Sequence, residues 1–450
     1  MKKIFAFMLV LSMFAYCKPT VNENTEEEGQ EGQEQEGEGQ GEEKPKPTEV
    51  NLDDLLAEYQ TQDDVLKGVL SPDKLPAEIH DGDEVLATNP NMDKFLSEVT
   101  YSDNDGYKTT QVLNYYGGAN GIKYNENGEP DENGTALAPE EVCSDIPCQY
   151  SIRWTADENL GQLKFDLSEE DWHYTRRVHG GFGYVIVSNL VPNVTYTYSL
   201  TQVEGGKVVT QGSFTTTGHV HHVYFKNKSG KEDVRNCRDM GGWKTYDGKT
   251  VKYHKIYRGG RLQSSTIDAA SKKEIIAEGI RAQLDLRGKS DVLKAPVFKG
   301  LAFCAPVIEQ GGVSMLTDTK GTKTKECFEF VVNCLRENKP VYFHCSLGRD
   351  RTGTFGILLL GLLGVVEGDI SKEYELSYFS PKGWGIALSE DYTTFQNTRN
   401  KWAYSDVAPY FWTKAGKDGS FADGVEKYLL TVAKVEQKDI DDFRALMLND

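Results

Sequence analysis

The chain has 450 residues, of which 38% are hydrophobic, and a formal net charge of −19 at pH 7. This length predicts two or three domains, and the apolar content is sufficient for packed cores. The net charge is acidic, and the sequence has no stripe of basic residues interleaved with aromatic residues. Both features argue against a nucleic-acid partner.

The N-terminus has the pattern of an export signal. Lys2 and Lys3 form a charged segment, and residues 4–16 form an apolar stretch that is too short to span a membrane. The stretch ends at Cys17, and this arrangement resembles a bacterial lipoprotein signal, in which the cysteine is lipidated. The resemblance implies a signal peptide over residues 1–17 and export to the periplasm or the cell surface, with a lipid anchor in a bacterial membrane. The alternative is ordinary cleavage, with Cys17 as an incidental residue.

An acidic low-complexity segment follows the signal. Residues 23–43 contain ten glutamates and no lysine or arginine, and they alternate with glycine and glutamine. Such a composition cannot bury enough apolar surface to fold, which predicts a solvated tether over residues 18–50. Helical spacing of apolar residues at 52–69 and 91–99 then predicts a helical lead-in over residues 51–99.

Short β-type runs separated by Gly, Asn and Asp clusters occupy residues 100–217. Their even spacing predicts an all-β sandwich, with strands at 149–154, 162–167, 184–188, 194–201 and 207–215. The stretch 190–198, with Tyr196 in the position of a tyrosine corner, resembles a fibronectin type III strand of the immunoglobulin-like sandwich class. Such a module serves either as a rigid spacer or as a binding surface for a protein or glycan partner.

Strands and helices alternate from residue 223 onward, which predicts an α/β domain over residues 218–450. The expected strands are 280–286, 301–305 and 341–344. The expected helices are 265–278, 322–337, 352–366, 371–379, 421–432 and 440–448. The helix at 352–366 is apolar nearly all round and is predicted to be buried in the centre of this domain.

The most informative motif joins the strand at 341–343 to that apolar helix. Cys345 and Arg351 are separated by five residues, a spacing that fits a thiolate and a guanidinium around one phosphate. The intervening loop, which contains Gly348, can direct successive N–H groups inward, and the following helix aims its N-terminus at the same point. Arg351 offers a bidentate fork to phosphate oxygens, and the Thr352 hydroxyl can donate to the sulfur. A buried structural thiol would require neither Gly348 nor Arg351 at these offsets.

The decamer HCSLGRDRTG resembles the signature of cysteine-dependent protein tyrosine phosphatases, in the atypical bacterial branch with an Asp before the Arg. The upstream segments NCRDMGG at 236–242, IYR at 256–258 and LDLR at 284–287 are similar to landmarks of that branch, in the same order. The resemblance implies catalytic and phosphate-binding roles within the decamer, and supporting roles for four further residues. Catalytic roles fall on Cys345, Asp350, Arg351 and Thr352, substrate binding on Ser346, Leu347, Gly348 and Arg349, and support on His344, Asp239, Arg258 and Arg287.

The general acid is the least determined of these assignments. Residues 301–315 contain no Trp-Pro-Asp sequence, and the resembling branch uses the loop Asp, which corresponds to Asp350. Two alternatives stay open: Asp350 shapes the loop through its hydrogen bonds, or Asp318 acts from a mobile loop. Arg349 either reaches a second phosphate or faces solvent.

The remaining cysteines and histidines do not indicate a metal site or a cofactor. Cys143 and Cys148 could form a small disulfide, whereas Cys327 and Cys334 share a helical face and are expected in the core. His219, His221 and His222 form a local cluster that has too few ligands for a metal. We therefore expect this segment to be an edge strand or a linker.

The leading function is hydrolysis of phosphomonoesters through a cysteinyl-phosphate, as in a protein tyrosine or dual-specificity phosphatase without a cofactor. One alternative substrate class is phosphoinositides or inositol phosphates. An alternative of another class is a non-catalytic phosphate-binding or adhesion lipoprotein. The sequence does not decide pocket depth, so it does not choose among the phosphorylated substrates.

Overall fold

The structure is a computed structural model. It describes residues 123–124, 135–136, 149–170, 172–218, 220–223, 225, 234–267, 269–380 and 404–449. The predicted signal, tether and lead-in helices, the Cys143–Cys148 pair and His219 lie outside these ranges. No helix among the described residues has the length and apolar character needed to cross a membrane.

The N-terminal part of the described chain consists of antiparallel β-sheets. Besides the short pair β1 and β2, one sheet pairs β3 with β6, and a second has the strand order β5-β4-β7-β8. The strand bounds are Lys123–Tyr124 (β1), Thr135–Ala136 (β2), Gln149–Arg153 (β3), Gln162–Glu169 (β4), Trp172–His179 (β5), Tyr184–Ser188 (β6), Thr195–Gln202 (β7) and Val208–Thr215 (β8).

Strand β5 was not predicted from the sequence pattern, and neither were the two-residue strands β1 and β2. Its sequence WHYTRRVH is rich in polar residues, and among its side chains only Tyr174 and Val178 are buried. A sheet-edge strand with so few buried positions shows little apolar alternation, so its pairing with β4 decides its conformation. The other predicted strands of this region agree with the structure to within two residues.

Both of these larger sheets contribute to one hydrophobic cluster. Ile152 and Val185 come from β3 and β6, and Leu163 and Phe165 come from β4. The two sheets therefore share a core, as packed sheets do. Tyr196 is 1% exposed within that cluster, and its hydroxyl accepts a hydrogen bond of 2.9 Å from the backbone N–H of Val191.

The C-terminal part is built on a mixed sheet with the strand order β12-β11-β13-β10-β9. Strands β10 to β13 are parallel to their neighbours, and β9 is antiparallel to β10 at one edge. The bounds are Arg238–Asp239 (β9), Ile256–Gly259 (β10), Ala282–Asp285 (β11), Ala302–Cys304 (β12) and Val341–His344 (β13). Because β13 lies between β10 and β11, the carboxyl ends of these three strands meet at His344, Gly259 and Asp285.

The described helices surround this sheet. They are Ala269–Ala277 (α1), Val313–Thr317 (α2), Thr322–Arg336 (α3), Asp350–Leu362 (α4), Glu367–Glu375 (α5), Tyr404–Ala415 (α6), Phe421–Tyr428 (α7) and Gln437–Met447 (α8). Every residue of α4 from Thr352 to Leu362 is buried, which confirms the predicted central helix. Cys327 and Cys334 are buried free thiols on α3, as expected.

Two helices, α4 and α6, differ from the sequence predictions. Helix α4 ends before residue 366, because Gly364 adopts a left-handed φ of 76° and Val365 forms a β-bridge with Thr245. Helix α6 was not predicted, since Pro409 lies inside it and proline normally ends a helix.

Candidate active site

The signature loop connects the central strand β13 to the buried helix α4. Cys345 follows the strand directly and is 2% exposed, and helix α4 begins at Asp350. The loop therefore lies at the carboxyl ends of the parallel strands, with the N-terminus of α4 directed at it. In open α/β sheets this edge is where ligands bind, and a helix N-terminus favours an anion.

Gly348 has a backbone geometry that excludes any side chain. Its φ is +74°, and a Cβ at this position would lie 2.4 Å from the carbonyl carbon of Gly259 and 2.5 Å from its oxygen. The loop thus passes in contact with the end of β10. Only glycine permits both this φ and this close approach.

Two loop carbonyls are held from the outside by buried side chains. The guanidinium of Arg258 donates to Gly348 O over 2.7 Å, and the amide of Asn236 donates to Leu347 O over 3.2 Å. In a trans peptide the N–H points opposite to the carbonyl. The N–H groups of Gly348 and Arg349 therefore point away from these donors, an arrangement suited to an anion nest.

The two donors belong to one buried charged network. Glu373 accepts from Arg258 at 2.6 Å and from Arg238 at 2.7 Å, and Arg238 also binds the side chain of Asn236. Burial lowers the pKa of Arg238 to about 10, against the opposing attraction of Glu373, so Arg238 remains cationic at neutral pH. The network explains why the NCRD and YR segments accompany the signature: they position its loop. Sequence reasoning missed Glu373, which is brought to this network only by the packing of α5.

A second buried group braces the strand ends beneath Cys345. Arg287 donates to both carboxylate oxygens of Asp285, at 2.9 and 2.8 Å, and Gln283 Nε2 lies 3.0 Å from His344 Nε2. Burial would raise the pKa of Asp285, but hydrogen bonds from Arg287 lower it overall. Burial lowers the pKa of His344 to about 4, although Asp285 opposes this shift, so His344 is a neutral scaffold residue at physiological pH.

The carboxylate of Asp239 contacts the turn after β9. It accepts from the backbone N–H groups of Gly241 at 2.8 Å and His254 at 2.6 Å, and it lies 3.2 Å from His221 Nδ1. These contacts stabilise that turn, and the supporting role of Asp239 in the site stays a prediction.

The first turn of α4 carries the remaining signature residues. Arg349 is 7% exposed and binds both carboxylate oxygens of Asp350, at 3.0 and 3.3 Å, so it does not face solvent. One nitrogen of Arg351 donates to Ile308 O at 2.9 Å. The hydroxyl of Thr352 is buried and has no hydrogen-bond partner among the described residues, which leaves it able to donate to an atom within the loop.

Two neighbouring loops form the rim of the site. Ser346 donates to Asp291 at 2.7 Å, and Gly311 approaches Asp350 so closely that a Cβ would lie 2.9 Å from its carbonyl carbon. Asp318 instead pairs with Lys323 at 2.8 Å, at the start of α3. The rim residue Asp291 was not singled out from the sequence, because nothing in its local pattern links it to the loop.

Comparison with known proteins agrees with this geometry. Residues 231–449 match the model of the tyrosine phosphatase family. A "putative tyrosine-protein phosphatase" of Cupriavidus necator is 26% identical over 167 residues, which cover 32% of this chain and 60% of that protein. The chain thus spans about three fifths of the length of that curated relative. The C-terminal part of the chain is therefore similar to tyrosine phosphatases, in agreement with the class expected from the signature.

Proposed function

We propose that the protein hydrolyses phosphomonoesters through a cysteinyl-phosphate, as a protein tyrosine or dual-specificity phosphatase. The observation that carries this proposal is the loop geometry around Cys345. Buried Arg258 and Asn236 hold the loop carbonyls outward, which directs N–H groups toward the space in front of the thiol. Such preorganised donors are suited to a phosphoryl group whose charge lies on its equatorial oxygens.

The reaction would proceed in two steps. The thiolate of Cys345 attacks phosphorus, the ester bond breaks, and Asp350 gives its proton to the departing oxygen. Water then attacks the cysteinyl-phosphate, Asp350 takes a proton from it, and the thiolate leaves with a hydrogen bond from Thr352. Arg351 stabilises the phosphoryl oxygens throughout; its contact with Ile308 uses one of five donors.

Arg349 occupies both carboxylate oxygens of Asp350. A substrate phosphate that recruits Arg349 would leave the carboxyl group of Asp350 free to approach the departing oxygen. Because Arg349 and Arg351 both lie at the N-terminus of α4, a substrate with two phosphates, such as a phosphoinositide or an inositol phosphate, is the second candidate.

The nucleophile is tested with purified protein by measuring inorganic phosphate released from phosphotyrosine and phosphoserine peptides, a phosphoinositide and an inositol phosphate. Cys345→Ser should abolish turnover, and vanadate should inhibit the wild type. Cys304→Ser is the matched control, since Cys304 is a free, half-buried thiol on β12 and should be dispensable. Turnover that survives in Cys345→Ser would refute the mechanism, and phosphate binding without turnover in the wild type would favour the non-catalytic alternative.

The acid is tested by comparing leaving groups. Asp350→Asn should reduce kcat about 10²–10⁴-fold on an alkyl phosphate, whose leaving oxygen requires a proton, and far less on an aryl phosphate of an acidic phenol. Asp318→Asn is the matched control and should change neither rate. An equal loss on both substrates would mean that Asp350 only shapes the loop. A loss in Asp318→Asn that depends on the leaving group would mean that Asp318 is the general acid.

The N-terminal sheets and the leader complete the proposal. The shared core and the Tyr196–Val191 hydrogen bond support a fibronectin type III-like sandwich, because a tyrosine corner makes this backbone contact. We assign it the role of a spacer or of a protein- or glycan-binding module on an exported, lipid-anchored protein. If Cys17 carries lipid, the native protein partitions into detergent and Cys17→Ala does not; equal partitioning would remove the anchor.

A further inference from the structure

Three potential metal ligands meet where the N-terminal sheets contact the phosphatase-like domain. His221 lies on the segment between the two parts, His254 precedes β10, and Glu278 follows α1. One ligand atom of each lies within 4.8 Å of the others. They come from segments up to 57 positions apart in the sequence (His221 to Glu278), so only the fold brings them together.

His221 has the environment of a metal-binding histidine. Its side chain is fully buried, and Nδ1 lies 3.2 Å from the carboxylate of Asp239. A carboxylate on one ring nitrogen orients the ring and increases the basicity of the other nitrogen, as around many zinc ions. That other nitrogen, Nε2, lies 3.8 Å from Glu278 and 2.8 Å from the carbonyl oxygen of Asn189, which belongs to the N-terminal part.

His254 is held in place from several sides. Its ring stacks on Trp172 with centroids 5.4 Å apart, and its Nδ1 lies 2.9 Å from the hydroxyl of Tyr257. Its Nε2 is buried and has no hydrogen-bond partner among the described residues; the nearest acid, Glu169, is 4.0 Å away.

Glu278 places a buried carboxyl group against these rings. The residue is 4% exposed, and the Tyr257 hydroxyl donates to its backbone carbonyl at 3.0 Å and lies 3.3 Å from its carboxylate. With Asp239 the cluster therefore contains two buried carboxyl groups. A divalent cation would give the carboxyl group of Glu278 a partner in the buried site.

We propose that His221, His254 and Glu278 bind one zinc ion, with the carbonyl oxygen of Asn189 as the fourth ligand. Imidazole and carboxylate groups are ordinary zinc ligands, and tetrahedral zinc places its ligand atoms about 3.4 Å apart. His221 Nε2 lies 3.8 Å from Glu278 and 2.8 Å from the carbonyl oxygen of Asn189, so zinc binding would move the imidazole and this carbonyl oxygen about 0.6 Å apart. The ion would fasten the N-terminal sheets to the phosphatase-like domain, because Asn189 and His254 lie on opposite sides of this junction. It is a structural site, separate from the loop of Cys345, whose chemistry requires no metal.

The test uses the full chain with the Cys345→Ser substitution, so that this thiol contributes no zinc binding. Chelator-treated protein is titrated with zinc, and bound metal and the melting temperature are measured. One equivalent of zinc should bind and raise the melting temperature. Glu278→Gln and His254→Gln should each weaken binding at least tenfold, whereas His173→Gln, an exposed histidine on β5, should leave it unchanged.

Three outcomes would overturn the site. These are the absence of stoichiometric zinc in the parent protein, unchanged affinity in Glu278→Gln, and an equal loss of affinity in His173→Gln. Glu278→Gln preserves the shape of the side chain, and circular dichroism verifies its fold. If His254→Gln fails to fold, the zinc titrations of the parent protein and of Glu278→Gln still show whether the site exists. Phosphatase turnover does not enter the test, so its result is independent of the proposed function.

Discussion

Replacing Gly348 with alanine tests whether the loop geometry carries the chemistry. The left-handed φ of +74° alone costs an L-residue about 1–2 kcal/mol. The added Cβ would also lie 2.4 Å from the carbonyl carbon of Gly259, which is strand backbone and cannot rotate away. The loop must therefore shift by about 1 Å, and a displacement of that size can reduce turnover about 10²-fold.

Gly364 provides a matched control in the same domain. Its φ is +76°, but nothing lies within 4 Å of the position that a Cβ would take. Gly364→Ala should therefore show the backbone strain without the clash. Both variants are compared in kcat/KM for an aryl phosphate and in melting temperature. We expect Gly348→Ala to lose about 10²-fold or more in kcat/KM, and Gly364→Ala to keep wild-type turnover with a modest loss of stability. Turnover within threefold of wild type in Gly348→Ala would refute the reasoning.

Two further predictions concern the buried groups around the loop. Arg258→Met removes the donor to Gly348 O and leaves Glu373 with only Arg238, so stability should fall by roughly 3–5 kcal/mol. Adding Glu373→Gln should restore neither stability nor turnover, because it also leaves the buried guanidinium of Arg238 without its carboxylate; turnover within threefold of the wild type in Arg258→Met would argue against the positioning role. The pKa of His344 is about 4 in the folded state, below the ordinary 6.5. Its contribution to the free energy of unfolding is therefore fully present above pH 6.5 and declines as the pH falls toward 4. Over this range the free energy of unfolding should fall by about 3 kcal/mol, at ~1.4 kcal/mol per unit of pKa shift. Urea unfolding from pH 7 to 4 should show a smaller decline in His344→Gln than in the wild type, and parallel declines would contradict the assignment.

The sequence by itself determined the features that depend on neighbouring residues. The strand 341–344, the loop and the helix that begins at Asp350 are contiguous, so the local sequence was sufficient to predict this strand–loop–helix unit, which contains Cys345 and Arg351. The apolar periodicity of α4 predicted its burial for the same local reason. The class of protein followed from this one segment.

Tertiary structure decided everything that depends on contacts between distant segments. The positioning of the loop by Asn236 and its contact with Arg258 join residues 111 and 90 positions apart, and Glu373 enters only through helix packing. Strand β5 forms because β4 offers it hydrogen-bonding partners, not because its own pattern is strong. His221 belonged to a sequence cluster with too few ligands for a metal. The fold brings His254 and Glu278 to it, because long-range proximity depends on the topology of the whole chain and leaves no signal in the local sequence.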